Sequence, residues 1–415
     1  MLKEFAKPWS PTTTAVAVLL FVLGLSMTCA SDDTTQDTPD AVSNTSCSLT
    51  LCRYNATDFR CDEAGCTSLP DAKISPEVLR ISLRGNRLTT VPSFENYPQL
   101  TDVDLSANSI EGFGKAVFLN NDKLRTLNLT QNSLISSSME TTTFIGLHTL
   151  AELYLGANKL SSLDDSNLFY AHMNLEILDL SANLIATMIH NALTDLTHLQ
   201  RLDLSRNRLT VLHAAHFRGL IRLESFDLSD NRLSAVPSLM VAQCAKLKRL
   251  DLSRNVITSI ASDAFDGATS LAVVYLDGNL LNNIGQNGIF GPNPPSSLIE
   301  INLRNSPTLR SIDAGAFDGL AKVETVNITG NRLLQSIDAA SFDRSQRDGS
   351  TATVRRLDLS NNALTGLAAE LVVWSNLTFV NLTGNLWYCD CHMEWIQTSG
   401  VDPEVLKNTK LVFRP

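Results

Sequence analysis

Along residues 77–388 the chain repeats one hydrophobic phrase, L-x-x-L-x-L-x-x-N-x-L. Its asparagine falls at Asn86, Asn108, Asn132, Asn158, Asn183, Asn207, Asn231, Asn255, Asn279, Asn331, Asn362 and Asn385. A weaker copy built on Leu298, Ile301 and Leu303 carries Ser306 in that place. Thirteen copies about 25 residues apart specify a repeat array, where 415 residues alone would also allow two or three separate cores. Within a copy the central stretch, such as Leu202-Asp203-Leu204-Ser205, alternates with period two. That predicts a short strand with its leucines inward and Asp203 and Ser205 outward. The asparagine that follows offers both donor and acceptor where the chain turns out of the strand, and stacked copies would align these amides into a ladder. The second half of a copy often sets Phe and Leu three apart, as in Phe217 with Leu220 and Phe317 with Leu320, closing the core on the opposite side. One copy cannot cover its own apolar face, but stacked copies can.

These repeats resemble the typical, extracellular class of leucine-rich repeat, over roughly residues 47–395. The resemblance implies an α/β-type solenoid, a right-handed horseshoe with a parallel β-sheet on its concave face. At about 4.8 Å per strand the concave arc would run roughly 60 Å. Cys47, Cys52, Cys61 and Cys66 precede the first copy, where the family has its amino-terminal cap, here residues 47–76. Their C-x4-C-x8-C-x4-C spacing departs from the family's C-x-C pair and leaves all three connectivities open. Zinc is the competing use of such a cluster, and the lack of a CxxC pair speaks against it. Residues 385–395, NLWYCDCHMEW, resemble the opening of the family's carboxy-terminal cap. There, Cys389 and Cys391 would pair with two further cysteines, which do not occur before Pro415. An incomplete cap over 389–415 is therefore expected, through truncation of a longer protein, with any membrane anchor beyond Pro415.

Lys3 and Lys7 precede an apolar stretch over residues 15–27, followed by Thr28-Cys29-Ala30 and an acidic polar linker over 31–46. This is the layout of a secretory signal. Thirteen residues rise only about 20 Å as a helix, short of the roughly 30 Å hydrocarbon core, so cleavage after Ala30 is expected ahead of a retained anchor. Clustered cysteines and Asn-x-Ser/Thr acceptors at Asn44, Asn55, Asn128, Asn327, Asn376 and Asn381 agree with an extracellular, disulfide-stapled glycoprotein. Cys244 stands where neighbouring copies hold Leu196 and Leu220, and reads as a small buried hydrophobe.

The net charge of −10, with no basic run, leaves a phosphate-tracking surface without support, so no nucleic-acid partner is expected. No GxxxxGK[ST], GxGxxG, HExxH or GxSxG string occurs. Ser229-Asp230-Asn231 spells a β-lactamase fragment, but it lies inside the repeat phrase without its SxxK or KTG companions. His213 and His216 could share a metal ion, yet no third ligand stands in register, so they read as a solvated back surface. The column Asp104, Asp179, Asp203, Asp227, Asp251 and Asp358 invites a calcium or catalytic reading, but Asp is the family's usual residue there. Neither an enzyme nor a cofactor or metal is expected.

Outward strand positions in copies four to nine compose a mixed lattice on which the family usually binds proteins. Its candidate ligand-binding residues are Glu152, Tyr154, Ile177, Arg201, Arg206, Arg249, Arg254, Val273 and Tyr275. Aromatic and arginine side chains are enriched at binding hot spots. Asn128, Asn327 and Asn381 share the strand position of Asp203, so glycans there would bracket copies four to ten. The expected function is recognition of an extracellular protein ligand, as a receptor ectodomain or adhesion molecule. The alternatives are a Toll-like innate-immune ectodomain and a matrix protein resembling the small leucine-rich proteoglycans.

Overall fold

The computed structural model describes residues 47–405, apart from 71–72, 116, 141, 166–167, 170–173, 286–287, 343–353, 389–390 and 403–404. Residues 1–46, with the expected signal segment, the acidic stretch and Asn44, and also Cys389, lie outside the described residues. Cys391 opens the 3-10 helix Cys391–Thr398. All described residues belong to one unit, Thr45–Pro415.

That unit is a right-handed leucine-rich repeat horseshoe lined by a 15-stranded sheet. A cap hairpin, Arg53–Tyr54 against Asp58–Arg60, pairs antiparallel, and every later neighbour is parallel. Coils 1 to 5 contribute Arg80–Ser82, Asp102–Asp104, Thr126–Asn128, Glu152–Tyr154 and Ile177–Asp179. Coils 6 to 9 contribute Arg201–Asp203, Ser225–Asp227, Arg249–Asp251 and Val273–Tyr275. Coils 10 to 13 contribute Glu300–Asn302, Thr325–Asn327, Arg356–Asp358 and Phe379–Asn381. The register is constant, so each central residue, from Ile81 to Val380, is buried beside its counterparts while both flanking residues face out. The opposite side of the coils is not helical in the α sense among the described residues. It holds two-residue strands such as Ser162–Leu163 beside Thr187–Met188, with turns and 3-10 segments, because a coil of about 25 residues leaves too little chain for a full helix. Phenylalanines fill this side and stack between coils, as in Phe94 with Phe118 at 5.9 Å and Phe317 with Phe342 at 4.6 Å.

The asparagine ladder forms as the repeat phrase requires. Asn207 Nδ2 donates to Leu180 O of the preceding coil at 2.9 Å and to Leu204 O of its own at 3.0 Å, and its Oδ1 accepts from Ile185 N–H at 2.9 Å. Each amide thus satisfies backbone groups in two coils at once. The residue just before each ladder position is left-handed in all thirteen coils, including Ala107, Arg206 and Arg254 at φ +55, +54 and +52°. Ser306 is too short to complete its rung, and its buried hydroxyl has no partner.

Both ends of the core are closed. Disulfides Cys47–Cys66 and Cys52–Cys61, with Cα–Cα distances of 4.1 and 4.2 Å, select one connectivity from the three. Asn86 joins that cap to the ladder by accepting from Cys66 N–H at 2.9 Å and donating to Cys61 O at 2.7 Å. At the far end Leu382 O accepts from Asn385 Nδ2 at 3.0 Å and from Trp387 Nε1 at 3.0 Å. The buried indole takes the place that the next coil's asparagine would hold.

Candidate ligand-binding face

The outward positions of coils 4 to 9 form two columns. The first runs Glu152, Ile177, Arg201, Ser225, Arg249 and Val273, and the second runs Tyr154, Asp179, Asp203, Asp227, Asp251 and Tyr275. Four aspartates in register make an acidic stripe with a tyrosine at each end. Their shared local task is structural: Ser181, Ser205, Ser229 and Ser253 N–H donate to the aspartate two residues earlier at 2.8–3.0 Å. Each carboxylate therefore bends the chain out of the strand as an Asx turn, which accounts for the column without calcium or acid catalysis. Burial, and then the flanking carboxylates, hold Asp203 above the usual carboxylate range. Asp251 is raised by the same burial.

Arg249 lies over the Tyr275 ring at 4.1 Å and reaches Asp251 Oδ2 at 3.1 Å, while Val273 sits beside it in the first column. At the other end Tyr154 donates to Glu152 Oε2 at 2.9 Å, and burial followed by that carboxylate pushes its phenol to about 12. Tyr154, Tyr275, Ile177 and Val273 are half-buried, whereas Arg201 and Arg249 are exposed. Seven of the nine residues singled out from sequence thus share the sheet face. Arg206 and Arg254 do not lie on strands. They occupy the left-handed turn positions beyond them, because the chain has already left the sheet at the Asx turn. There they flank Asp230, which takes a two-point bond from Arg254 at 2.6 and 2.6 Å and faces Arg206 Nε at 4.0 Å. Asp230, held below the usual range by Arg254, is not legible as a partner in the sequence because its contact crosses 24 residues.

The acceptor asparagines fall in two settings. Asn128 and Asn381 sit in the Asp203 column and accept from Thr130 and Thr383 N–H at 3.0 and 3.2 Å; Asn327 shares the column. Asn55 in the cap hairpin turn and Asn376 in the 3-10 helix Trp374–Asn376 are exposed. Cys244 is a free thiol in the core, pushed up to about 12 by burial.

On the back of coils 5 and 6 the sequence reading needs correction. His213 and His216 do have a third histidine beside them, His190 of the preceding coil, with ring centroids 5.1 to 5.5 Å apart. His216 is also not solvated: it is 4% exposed, and burial pushes it down to about 4.

Comparison with known proteins agrees with the fold. A leucine-rich repeat family model matches residues 98–160, 173–233 and 221–281, and a model of BspA-type leucine-rich repeat regions matches 292–351. The chain belongs to the leucine-rich repeat proteins. A leucine-rich repeat protein of Leptospira interrogans is 22% identical with a TM-score of 0.62, over 84% of this chain and 82% of that one. The Toll–Spätzle complex of Drosophila gives 22% identity and a TM-score of 0.61, over 86% of this chain and 48% of that one. A TLR13–ssRNA13 complex gives 22% and 0.62, over 78% and 49%. These are likenesses of fold. Immunoglobulin superfamily member 10 of Rattus norvegicus is 39% identical over 62 residues, which span 14% of this chain and 2% of that protein. No helix among the described residues is long and apolar enough to cross a membrane.

Proposed function

We propose that this chain is an extracellular recognition protein that binds a protein ligand through the outward face of coils 4 to 9. The observation that carries the reading is the cluster of Arg249, Tyr275 and Val273 at the end of the aspartate stripe. It joins an aromatic ring, a guanidinium and an outward aliphatic side chain on a rigid sheet, the composition that concentrates binding energy. Surface ion pairs alone contribute about 0–1 kcal/mol each and would not need the tyrosines. A ligand with basic side chains suits the aspartates, and its acidic or carbonyl groups suit Arg201 and Arg249. Acceptors at Asn128, Asn327 and Asn381 bracket this surface, since coils 4 to 10 carry none on their strands. Among the structural relatives one is in complex with the protein Spätzle and another with a single-stranded RNA; a face striped with aspartates favours the protein.

The repeat phrase itself supplies a test. Asp227→Asn creates an acceptor with Ser229, the counterpart of Asn128 with Thr130, and would place a glycan at the centre of the face. The secreted chain is screened against an array of extracellular proteins, with single-stranded RNA as a comparison probe. The glycosylated Asp227→Asn protein should lose the protein ligand, and the same variant with Ser229→Ala should retain it. Unimpaired binding by the glycosylated variant, or binding to RNA alone, overturns the proposal. Sequence beyond Pro415 encoding an anchor and a signalling domain would make the role that of a receptor ectodomain; a stop soon after a completed cap would favour a matrix role.

A further inference from the structure

We propose that His190, His213 and His216 form a binding site for a late first-row divalent cation, with Zn2+ as its first candidate. His190 follows the back strand Thr187–Met188 of coil 5, and His213 and His216 belong to the 3-10 turn of coil 6, at the cap and within the helix Ala214–Phe217. The three imidazole centroids are 5.1, 5.2 and 5.5 Å apart. Zinc–nitrogen bonds of about 2.0–2.1 Å place each ring centre about 3.2 Å from the metal, and a tetrahedral angle then separates ring centres by about 5.2 Å. The three ring centres thus stand at the spacing that such an ion demands.

His216 is the fixed member. It occupies a core position, immediately before buried Phe217, where coils 5 and 7 place Ala192 before Leu193 and Met240 before Val241. A polar ring in that place needs a reason, since burial of imidazole is unfavourable without partners. The Met188 carbonyl faces the His216 ring, as carbonyls behind metal-bound histidines commonly do. Nδ1 of His216 accepts a long bond from His213 N–H at 3.3 Å, which is readily exchanged for a metal. His190 and His213 are exposed, so rotation of their rings about the terminal side-chain torsion costs little. Such rotation is required, because the nitrogens of the three rings do not all lie within 4.8 Å of one another in this arrangement. Three neutral imidazoles leave the fourth position of the ion for water or for a side chain of a bound partner.

The experiment uses the full secreted chain without a histidine tag, dialysed against ZnCl2 and assayed for bound metal, with thermal melting in parallel. One zinc per chain and a melting temperature that rises with zinc are expected. His190→Ala and His213→Ala, both at exposed positions, should weaken zinc binding at least about tenfold and abolish the thermal response while melting normally without metal. Cobalt should give the visible absorption of a four-coordinate nitrogen site in the parent and not in these variants. His216→Ala disturbs the core and is not used as the deciding variant. Zinc affinity unchanged in both His190→Ala and His213→Ala, or no zinc bound by the parent, overturns the proposal.

Discussion

Replacing Asn231 by alanine removes one rung of the ladder and nothing else of comparable size. Its Nδ2 donates to Leu204 O at 2.9 Å and Leu228 O at 3.0 Å, and its Oδ1 accepts from Leu209 N–H at 3.1 Å. The two carbonyls keep second partners, because Asn207 also donates to Leu204 O at 3.0 Å and Asn255 to Leu228 O at 3.0 Å. Their loss is about 1 kcal/mol each. Leu209 N–H has no replacement, and a stranded buried donor costs about 1–3 kcal/mol, so Asn231→Ala should destabilise its surroundings by roughly 3–5 kcal/mol. A solenoid transmits such a loss mainly to neighbouring coils, which makes a global melt a poor readout. Amide hydrogen exchange resolved by peptide is the suitable assay. Amides of coils 6 to 8 should exchange about a hundredfold to several thousandfold faster, with coils 1 to 3 little changed. Acceleration below about tenfold in coils 6 to 8, or equal acceleration in every coil, would refute the account of the ladder.

Two further outcomes follow from local geometry. Asp203 has a folded-state pKa raised by burial, so its contribution to stability is fully present below the unfolded value near 3.9 and is lost as pH rises through the folded value. In a Ser205→Ala background, which prevents glycosylation, Asp203→Asn should therefore raise the melting temperature at pH 7 and lose that advantage near pH 3; an advantage independent of pH would contradict the burial argument. Gly219 has φ +85°, and a Cβ added there would lie 1.9 Å from Thr194 O, so Gly219→Ala should cost roughly 3 kcal/mol or more in denaturant titrations. Gly366→Ala, with nothing within 4 Å, should be nearly neutral in the same measurement.

The coil count, the inward leucines and the ladder are legible in the sequence because they rest on spacing along the chain. Even the broken rung at Ser306 can be read in this way. Contacts between coils cannot, since partners such as Asp230 and Arg254 lie 24 residues apart and nothing local links them. His190 escapes notice for the same reason: its neighbours are one full coil away, while His213 and His216 alone look like a pair. A period-two reading places Arg206 and Arg254 on the sheet because it does not show where a strand stops. The aspartates that invite a calcium or catalytic reading stand at that stopping point. The cap pairing needs three-dimensional placement, because spacing leaves three connectivities equal.

The interrupted rung between coils 9 and 10 gives the array a joint of a different kind. Where Ser306 cannot bridge, buried Asp277 accepts from Arg304 N–H at 2.7 Å and from its guanidinium at 2.7 and 3.0 Å, and Thr308 Oγ1 donates to Leu281 O at 2.9 Å. At the other ladder steps of coils 1 to 9 the bridging group is a neutral amide, which is indifferent to ionic strength. At this one step a pair of opposite charges stands in for the amide, with the guanidinium partly open to solvent. Added salt should therefore weaken this one step more than its neighbours, while the pairing of Val273–Tyr275 with Glu300–Asn302 keeps the two coils joined.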